Sequence, residues 1–243
     1  MPRLDAVSRL DEVGRRFELS EDRVAALRAV LALQADDPTA STTVRDPDPA
    51  ADRHVADSLV ALEVPAVRDA RRIADLGAGA GWPGLALAAA LPAARVTLVE
   101  SAVRHCRYLE RAVAASGLRN VDVAHARVEE WEAGRGEQDV VTARALAALP
   151  VVVEYAAPLL ADGGHLVAWK GEIGDDEARD GAAAAQAVGL EAVEVRHVDP
   201  YPGAGHRTLH VFRKVAPTPP RFPRRAGMAV KRPLGAGSGR GAR

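Results

Sequence analysis

The chain of 243 residues holds one cysteine, Cys106, and only three each of Phe, Trp and Tyr. A single thiol cannot build an internal disulfide framework, so a small secreted scaffold is excluded. No apolar run approaches the roughly 20 residues that a membrane span requires. The opening Met1-Pro2-Arg3-Leu4-Asp5 lacks the apolar stretch of a secretory signal. A cytoplasmic monomer with no membrane partner and no metal is therefore expected. Acidic residues are missing from the last part of the chain. None follows Asp199, whereas ten Lys/Arg lie between Pro200 and Arg243. Residues 1–199 carry 22 basic against 33 acidic residues, so the net charge of −1 averages an acidic body and a basic tail. That split points to a polyanionic partner, with nucleic acid the leading reading.

Hydrophobic residues make up 48% of the chain, enough for a sizeable core. Leu4, Val7, Leu10, Val13 and Phe17 recur at helical spacing, and residues 3–36 read as helical. Ser20 is placed to cap a second segment whose apolar face is Val24, Leu27, Val30 and Leu31. Residues 36–52 read as a loop, and a short helix is expected around His54–Val64. Short strands and helices then alternate. Strands are expected at Arg72–Leu76, Arg95–Glu100, Val121–Arg127, Asp139–Arg144 and His165–Lys170. Helices are expected from Pro83 to about Leu91, from a Ser101 cap to Gly117, within 147–160, and over Asp175–Val188. Two final strands, Glu191–Val198 and Arg207–Lys214, flank the turn "DPYPGAGH". Alternation of this kind implies an α/β doubly wound, mostly parallel sheet. A strand-turn-strand ending implies one antiparallel strand among seven, the Rossmann-like class I methyltransferase pattern. The expected organisation is a helical cap over 1–66, a core over 67–215, and a basic, extended tail over 216–243.

The stretch "DLGAGAGWPG" (75–84) sets four glycines at the end of the first strand and opens a helix. That context suits a loop whose amides approach a ligand. Glu100 ends the next strand, where a carboxylate can accept hydrogen bonds from ribose hydroxyls. These features fit either an S-adenosylmethionine site or a dinucleotide site, and hence a nicotinamide-dependent oxidoreductase as the alternative. Asp75 favours the former, because a carboxylate there suits a methionine ammonium and repels a pyrophosphate. Asp75 can equally be a loop-capping residue. Val128 and Glu129 follow the third strand, at the place of an adenine ring. Arg144 ends the fourth strand, in the crevice where such sheets bind ligands.

Two acceptor chemistries lack their motifs. The Asn/Asp-Pro-Pro-aromatic loop of adenine-amine methylation is absent after the fourth strand, where "TARALAALP" stands. Cys106 lies in a helix remote from that strand and reads as a packing residue rather than a nucleophile. Guanine N7 needs neither device, because it brings its own lone pair and requires mainly positioning. His54, Asp57 and Ser58 share one helical face, either at an active-site rim or ordering the junction with the sheet.

"HVADSL" (54–59), "ADLGAGAGWPGLALA" (74–88), "LVES" (98–101), "RVEEW" (127–131), "TARALAAL" (142–149), "GGHLVAWKG" (163–171) and "FPRRAGMAVKRPL" (222–234) occur together and in this order. In this the chain resembles the bacterial small-subunit ribosomal RNA methyltransferase G family, also called glucose-inhibited division protein B, over roughly residues 20–234. The resemblance implies methyl transfer from S-adenosylmethionine to N7 of one guanine in 16S rRNA of the small ribosomal subunit or its assembly intermediate. It implies that Gly77, Trp82, Val128, Glu129 and Arg144 line the cofactor site, to which the reading of the loop and second strand adds Gly79 and Glu100. His54, Lys170, Arg224, Arg225, Lys231 and Arg232 are the expected RNA contacts. Trp82 stands where the family mostly has Phe or Leu, and Ala78 where Ser or Thr is common. A non-catalytic RNA-binding protein with a vestigial pocket is the remaining alternative.

Overall fold

The computed structural model describes residues 8–235. Its strands are β1 (Arg72–Leu76), β2 (Arg95–Glu100), β3 (Val121–His125), β4 (Gln138–Arg144), β5 (Leu160–Lys170), β6 (Leu190–His197) and β7 (Thr208–Lys214). They form one sheet in the order β3-β2-β1-β4-β5-β7-β6. Neighbours from β3 to β5 run parallel, and β7 is antiparallel to both β5 and β6. The chain order reverses between β1 and β4, which opens a crevice at their carboxyl ends.

Side-chain alternation along the strands builds two cores, one on each face. Ile73, Val140, Val167 and Trp169 point to one face, and Ala74, Val141, Leu166 and Ala168 to the other. The first face is covered by α1 (Arg9–Arg16), α2 (Glu21–Asp36), α3 (Pro47–Ala50), α4 (Asp57–Leu59), α5 (Pro65–Asp69), α6 (Gly84–Ala90) and α7 (Val103–Ser116). The second is covered by α8 (Leu149–Ala156), α9 (Asp175–Val188) and the tail turn α10 (Met228–Lys231). The N-terminal helices therefore share a core with the sheet.

Several boundaries differ from the sequence reading. Residues 3–7 of the first expected helix lie outside the described residues. The helix begins at Arg9, where Ser8 and Asp11 form a reciprocal capping box. Ser20 precedes α2 but makes no side-chain cap bond. The helical path expected from His54 already starts at Pro47. Asp46 caps it, Pro47 occupies its first turn, and it runs through a π-helical stretch, Ala51–Ala56, into α4 and a 3-10 turn, Val60–Glu63. Pro83 is the N-cap of α6 rather than its first residue. Ala102, not Ser101, caps α7, and its amide is bound by the Glu100 carboxylate at 2.8 Å. β5 begins at Leu160 and carries Gly163, at φ 77°, through an irregular register with β4.

The segment expected as an extended tail is docked on the second face over its described residues, 216–235. Phe222 and Ala229 are buried in the second core. Beside them Glu154, fully buried in the all-apolar surroundings of α8, needs a cationic partner. Arg224 supplies it with a two-pronged grip, Nε to Oε1 at 2.8 Å and Nη2 to Oε2 at 2.5 Å, and its own amide also donates to Oε1 at 3.2 Å. Removing one member of a buried pair strands the other. Arg224→Met is expected to lower unfolding free energy by on the order of 2–3 kcal/mol, because Glu154 is left uncompensated. Urea denaturation measures it. A loss below about 0.5 kcal/mol, the size of an ordinary surface change, contradicts this account.

Candidate functional site

The site begins where β1 runs into the glycine loop. Gly77, Gly79 and Gly81 all take positive φ, at 65°, 53° and 95°. A side chain at Gly77 would strike Leu146, which follows β4, with a Cβ only 2.6 Å from its Cδ1. The loop is thus pressed against the chain leaving β4. Its amides are fixed from β2: Gly77 and Ala78 donate to the Val99 carbonyl at 2.9 and 3.2 Å, and Gly79 donates to Glu100 Oε2 at 3.1 Å. Glu100 is buried and uses one oxygen on the loop and the other on Ala102. A carboxylate offers about four acceptor directions, so these two bonds leave capacity for ribose hydroxyls. This donor set fits an adenosine-type cofactor.

Asp75 is used internally. Oδ2 accepts the Gly84 amide at 2.9 Å and Oδ1 accepts the Thr142 hydroxyl at 3.0 Å. Burial pushes its pKa up to about 7, against the lowering effect of those two bonds. Its geometry is that of a loop-capping residue at the start of α6.

Val128 and Glu129 open a 3-10 turn after β3. Glu129 is buried, and its Oε1 accepts from Tyr155 at 3.1 Å and from the tail amide of Gly227 at 2.8 Å. Burial alone would raise its pKa, but these bonds hold the carboxyl below its ordinary value. The basic tail thus touches the residue expected beside the adenine.

At the other side of the loop the cap meets the sheet. Trp82 is buried, its indole donates to Gln34 Oε1 at 2.8 Å, and its ring stacks on His54 at 5.7 Å between centroids. His54 Nε2 pairs with Thr42 Oγ1 at 3.0 Å. Arg144 Nη1 donates to Asp57 Oδ2 at 2.7 Å and to the Arg53 carbonyl at 3.0 Å, and Nη2 lies 3.4 Å from His54 Nδ1. The next residue, Ala145, is held at φ 55°. A left-handed non-glycine residue costs on the order of 1 kcal/mol and marks a place that the surroundings over-determine. Around this junction lies a cavity of about 830 Å³, lined by residues 41–44, Arg53, His54, Asp57, Arg144, Ala145, Ala147, residues 169–171 and Arg207. Four of its side chains are cations and one is an acid. Its volume is that of a small-molecule site. Ser41 also lies beside Gly79, so the cavity adjoins the glycine loop.

The expected RNA contacts divide. His54 is buried in the Trp82 stack and is no surface ligand for phosphate. Lys170 lines the cavity but is bonded to Glu177 Oε1 at 2.7 Å and the Ala147 carbonyl at 2.8 Å. Arg224 holds Glu154. Arg225, Lys231 and Arg232 are exposed, as is Arg221, and their side chains have no ion-pair partner among the described residues. Sequence reasoning missed Gln34, Thr42, Trp169 and Arg207. The Trp169 indole donates to the Asp57 carbonyl at 2.7 Å, and Arg207 Nε stands 3.4 Å from Asp57 Oδ1. A lone glutamine in a helix, or an arginine after a turn, carries no local signal.

Burial, followed by the charge of Arg144, lowers the His54 pKa to about 4. The unfolded chain therefore takes up a proton near pH 6.5 that the folded chain refuses until about pH 4. Stability from this group is complete above pH 6.5 and is lost as pH falls toward 4. His54→Gln is expected to flatten that part of the stability–pH curve, measured by urea unfolding from pH 7 to 4. A variant curve parallel to that of the unsubstituted chain contradicts it.

Known proteins resemble this chain in sequence and in fold. Residues 33–203 match the family model described as rRNA small subunit methyltransferase G. The ribosomal RNA small subunit methyltransferase G of Rubrobacter xylanophilus is 43% identical over 199 residues, covering 79% of this chain and 76% of that protein. Its counterpart from Desulfitobacterium hafniense is 33% identical over 235 residues, covering 95% and 97%. Among solved structures, a SAM dependent methyltransferase from Aquifex aeolicus aligns with TM-score 0.54 at 15% identity, over 66% of this chain and 91% of that one. The pre-rRNA processing protein fibrillarin of Methanococcus jannaschii aligns with TM-score 0.50 at 19% identity, over 63% and 70%. These two likenesses concern the fold alone. With a family model spanning most of its length and relatives matched nearly end to end, the chain belongs to the rRNA small subunit methyltransferase G family.

Proposed function

We propose that the chain transfers a methyl group from S-adenosylmethionine to N7 of one guanine in 16S rRNA. Gly77, Gly79, Glu100, Val128 and Glu129 line the cofactor side in this reading. Glu100 takes the ribose, and the 128–129 turn takes the adenine. Trp82 acts indirectly, by holding the loop against the cap. When bound, S-adenosylmethionine supplies a sulfonium methyl that guanine N7 takes by direct in-line displacement, without a covalent enzyme intermediate.

One observation carries the proposal. Arg144, at the end of β4, is tied to Asp57 and His54 of the cap, inside a cationic cavity that adjoins the glycine loop. The charge of this cavity suits a phosphate-bearing substrate. Its histidine is a weak base, with its pKa depressed to about 4. An acceptor with its own lone pair fits such a site, because orientation replaces base catalysis. The exposed Arg221, Arg225, Lys231 and Arg232 extend the basic surface for the RNA backbone.

The test uses small subunits whose rRNA lacks the modification. Incubation of the purified chain with them and labelled S-adenosylmethionine is expected to place label in 7-methylguanine of 16S rRNA, identified by nuclease digestion and mass spectrometry. Cofactor binding by calorimetry without any methyl transfer would leave only an RNA-binding role. Label in a base other than guanine would overturn the acceptor assignment.

A further inference from the structure

One acceptor in the cavity has no donor. Asp57 is 6% exposed, and its Oδ2 is bonded to Arg144. Its Oδ1 is buried and makes no hydrogen bond among the described residues. Arg207 Nε comes within 3.4 Å as an ion pair without completing that bond, and its side chain is 38% exposed. A buried carboxylate oxygen without a donor is costly to the fold. Ordinary folds remove such a defect. Here it is kept on a wall of the cavity, with its neighbours locked. The Trp169 indole fixes the Asp57 backbone, Arg144 fixes Oδ2, and Ser58 fastens the same helical turn through the His54 carbonyl at 2.5 Å. Arg207 is the group that covers Oδ1, and its half-exposed side chain is the one neighbour free to give way, so this acceptor is shaped for a donor that arrives with the substrate and displaces Arg207.

Building on the guanine N7 reading above, we propose that Asp57 Oδ1 is the base-recognition atom of the site and accepts a hydrogen bond from the N1–H and N2–H₂ edge of the target guanine. The chemistry of the two purine edges supports this. N7 lies on the edge opposite N1 and N2, so a base presenting N7 to the methyl donor leaves its Watson–Crick edge free for the cap. A flipped nucleotide is read on that edge by hydrogen bonds. Guanine offers donors there. Adenine has a lone pair at N1 and no amine at C2, and its one donor, N6–H₂, stands where guanine has O6, so a carboxylate oxygen placed for N1–H and N2–H₂ meets a lone pair instead. Asp57 thereby selects the base, whereas the cations around it hold the phosphates. Arg144 and Trp169 are positioning residues that act through Asp57.

The test compares small-subunit RNA carrying guanine or adenine at the target position. Both RNAs are assayed for kcat/KM of methyl transfer with the unsubstituted chain and with Asp57→Asn. The amide introduced by this substitution can donate to adenine N1, which relaxes the recognition. The unsubstituted chain is expected to prefer the guanine RNA by about a hundredfold or more, as sites built around a polar substrate group do. Asp57→Asn is expected to shrink that preference by about tenfold or more, the worth of one charge-assisted hydrogen bond. Its affinity for S-adenosylmethionine, measured by calorimetry, should stay within about twofold, because the two sites bind separate groups. A preference unchanged by Asp57→Asn, with both rates falling together, overturns the proposal and leaves Asp57 as an anchor for Arg144. If the variant fails to melt cooperatively, the unsubstituted chain decides: equal rates on the two RNAs overturn the proposal, and a strong guanine preference supports it. A chain that binds the cofactor yet methylates neither RNA refutes the parent reading instead.

Discussion

The guanidinium of Arg144 reaches from the end of a central strand to Asp57 on the helical cap, 2.7 Å from Oδ2. Both groups are largely buried, with side-chain exposures of 17% and 8%. An ion pair in such a place is held only if its geometry is good, because desolvation opposes it. Its consequence is architectural. It joins the first face's helices to the carboxyl edge of the sheet at the point where a ligand crevice opens. His54, Trp82, Thr42 and Trp169 are arranged around this junction. Arg144 therefore fixes the cap and the cavity wall, whereas the glycine loop is held separately from β2.

A second buried pair performs the matching task on the opposite face. Arg224 and Glu154 fasten the tail to α8, and Gly227 then reaches Glu129. Arg221, Arg225, Lys231 and Arg232 are thereby presented from a fixed backbone. In the proposed reading the adenine side of the cofactor and the RNA-facing surface become neighbours through a single carboxylate. Charge therefore has two uses in this chain. Buried pairs set positions, and exposed cations face solvent and a polyanion.

Much of the fold was legible because it rests on local patterns. Strand-helix alternation, the glycine loop, Glu100 at the end of β2 and Arg144 at the end of β4 all follow from short-range spacing and chain order. β1 and β2 have the predicted limits, as does α9. The early start of the cap helix at Pro47 was also written locally, in Asp46-Pro47, but a stretch rich in Asp and Pro reads first as loop. The docked tail was legible only in part. Glu154 amid Val and Tyr announces a buried charge that needs a partner, yet nothing near it names Arg224, which lies 70 residues away. Gln34 with Trp82 and Asp57 with Trp169 are pairs of the same kind, 48 and 112 residues apart. Tertiary contacts at such separations leave no period in the sequence. The burial of His54 and the internal partners of Lys170 and Arg224 were likewise not legible, because sequence spacing does not reveal tertiary contacts.

The central claim is that Arg144 and Asp57 act as one unit in building the site. A double-mutant cycle with Arg144→Ala and Asp57→Ala, read in unfolding free energy, tests it most directly. The account predicts a coupling of about 1 kcal/mol or more, with the double variant less damaged than the sum of the single ones. Additive losses, with a coupling within about 0.3 kcal/mol of zero, would contradict it.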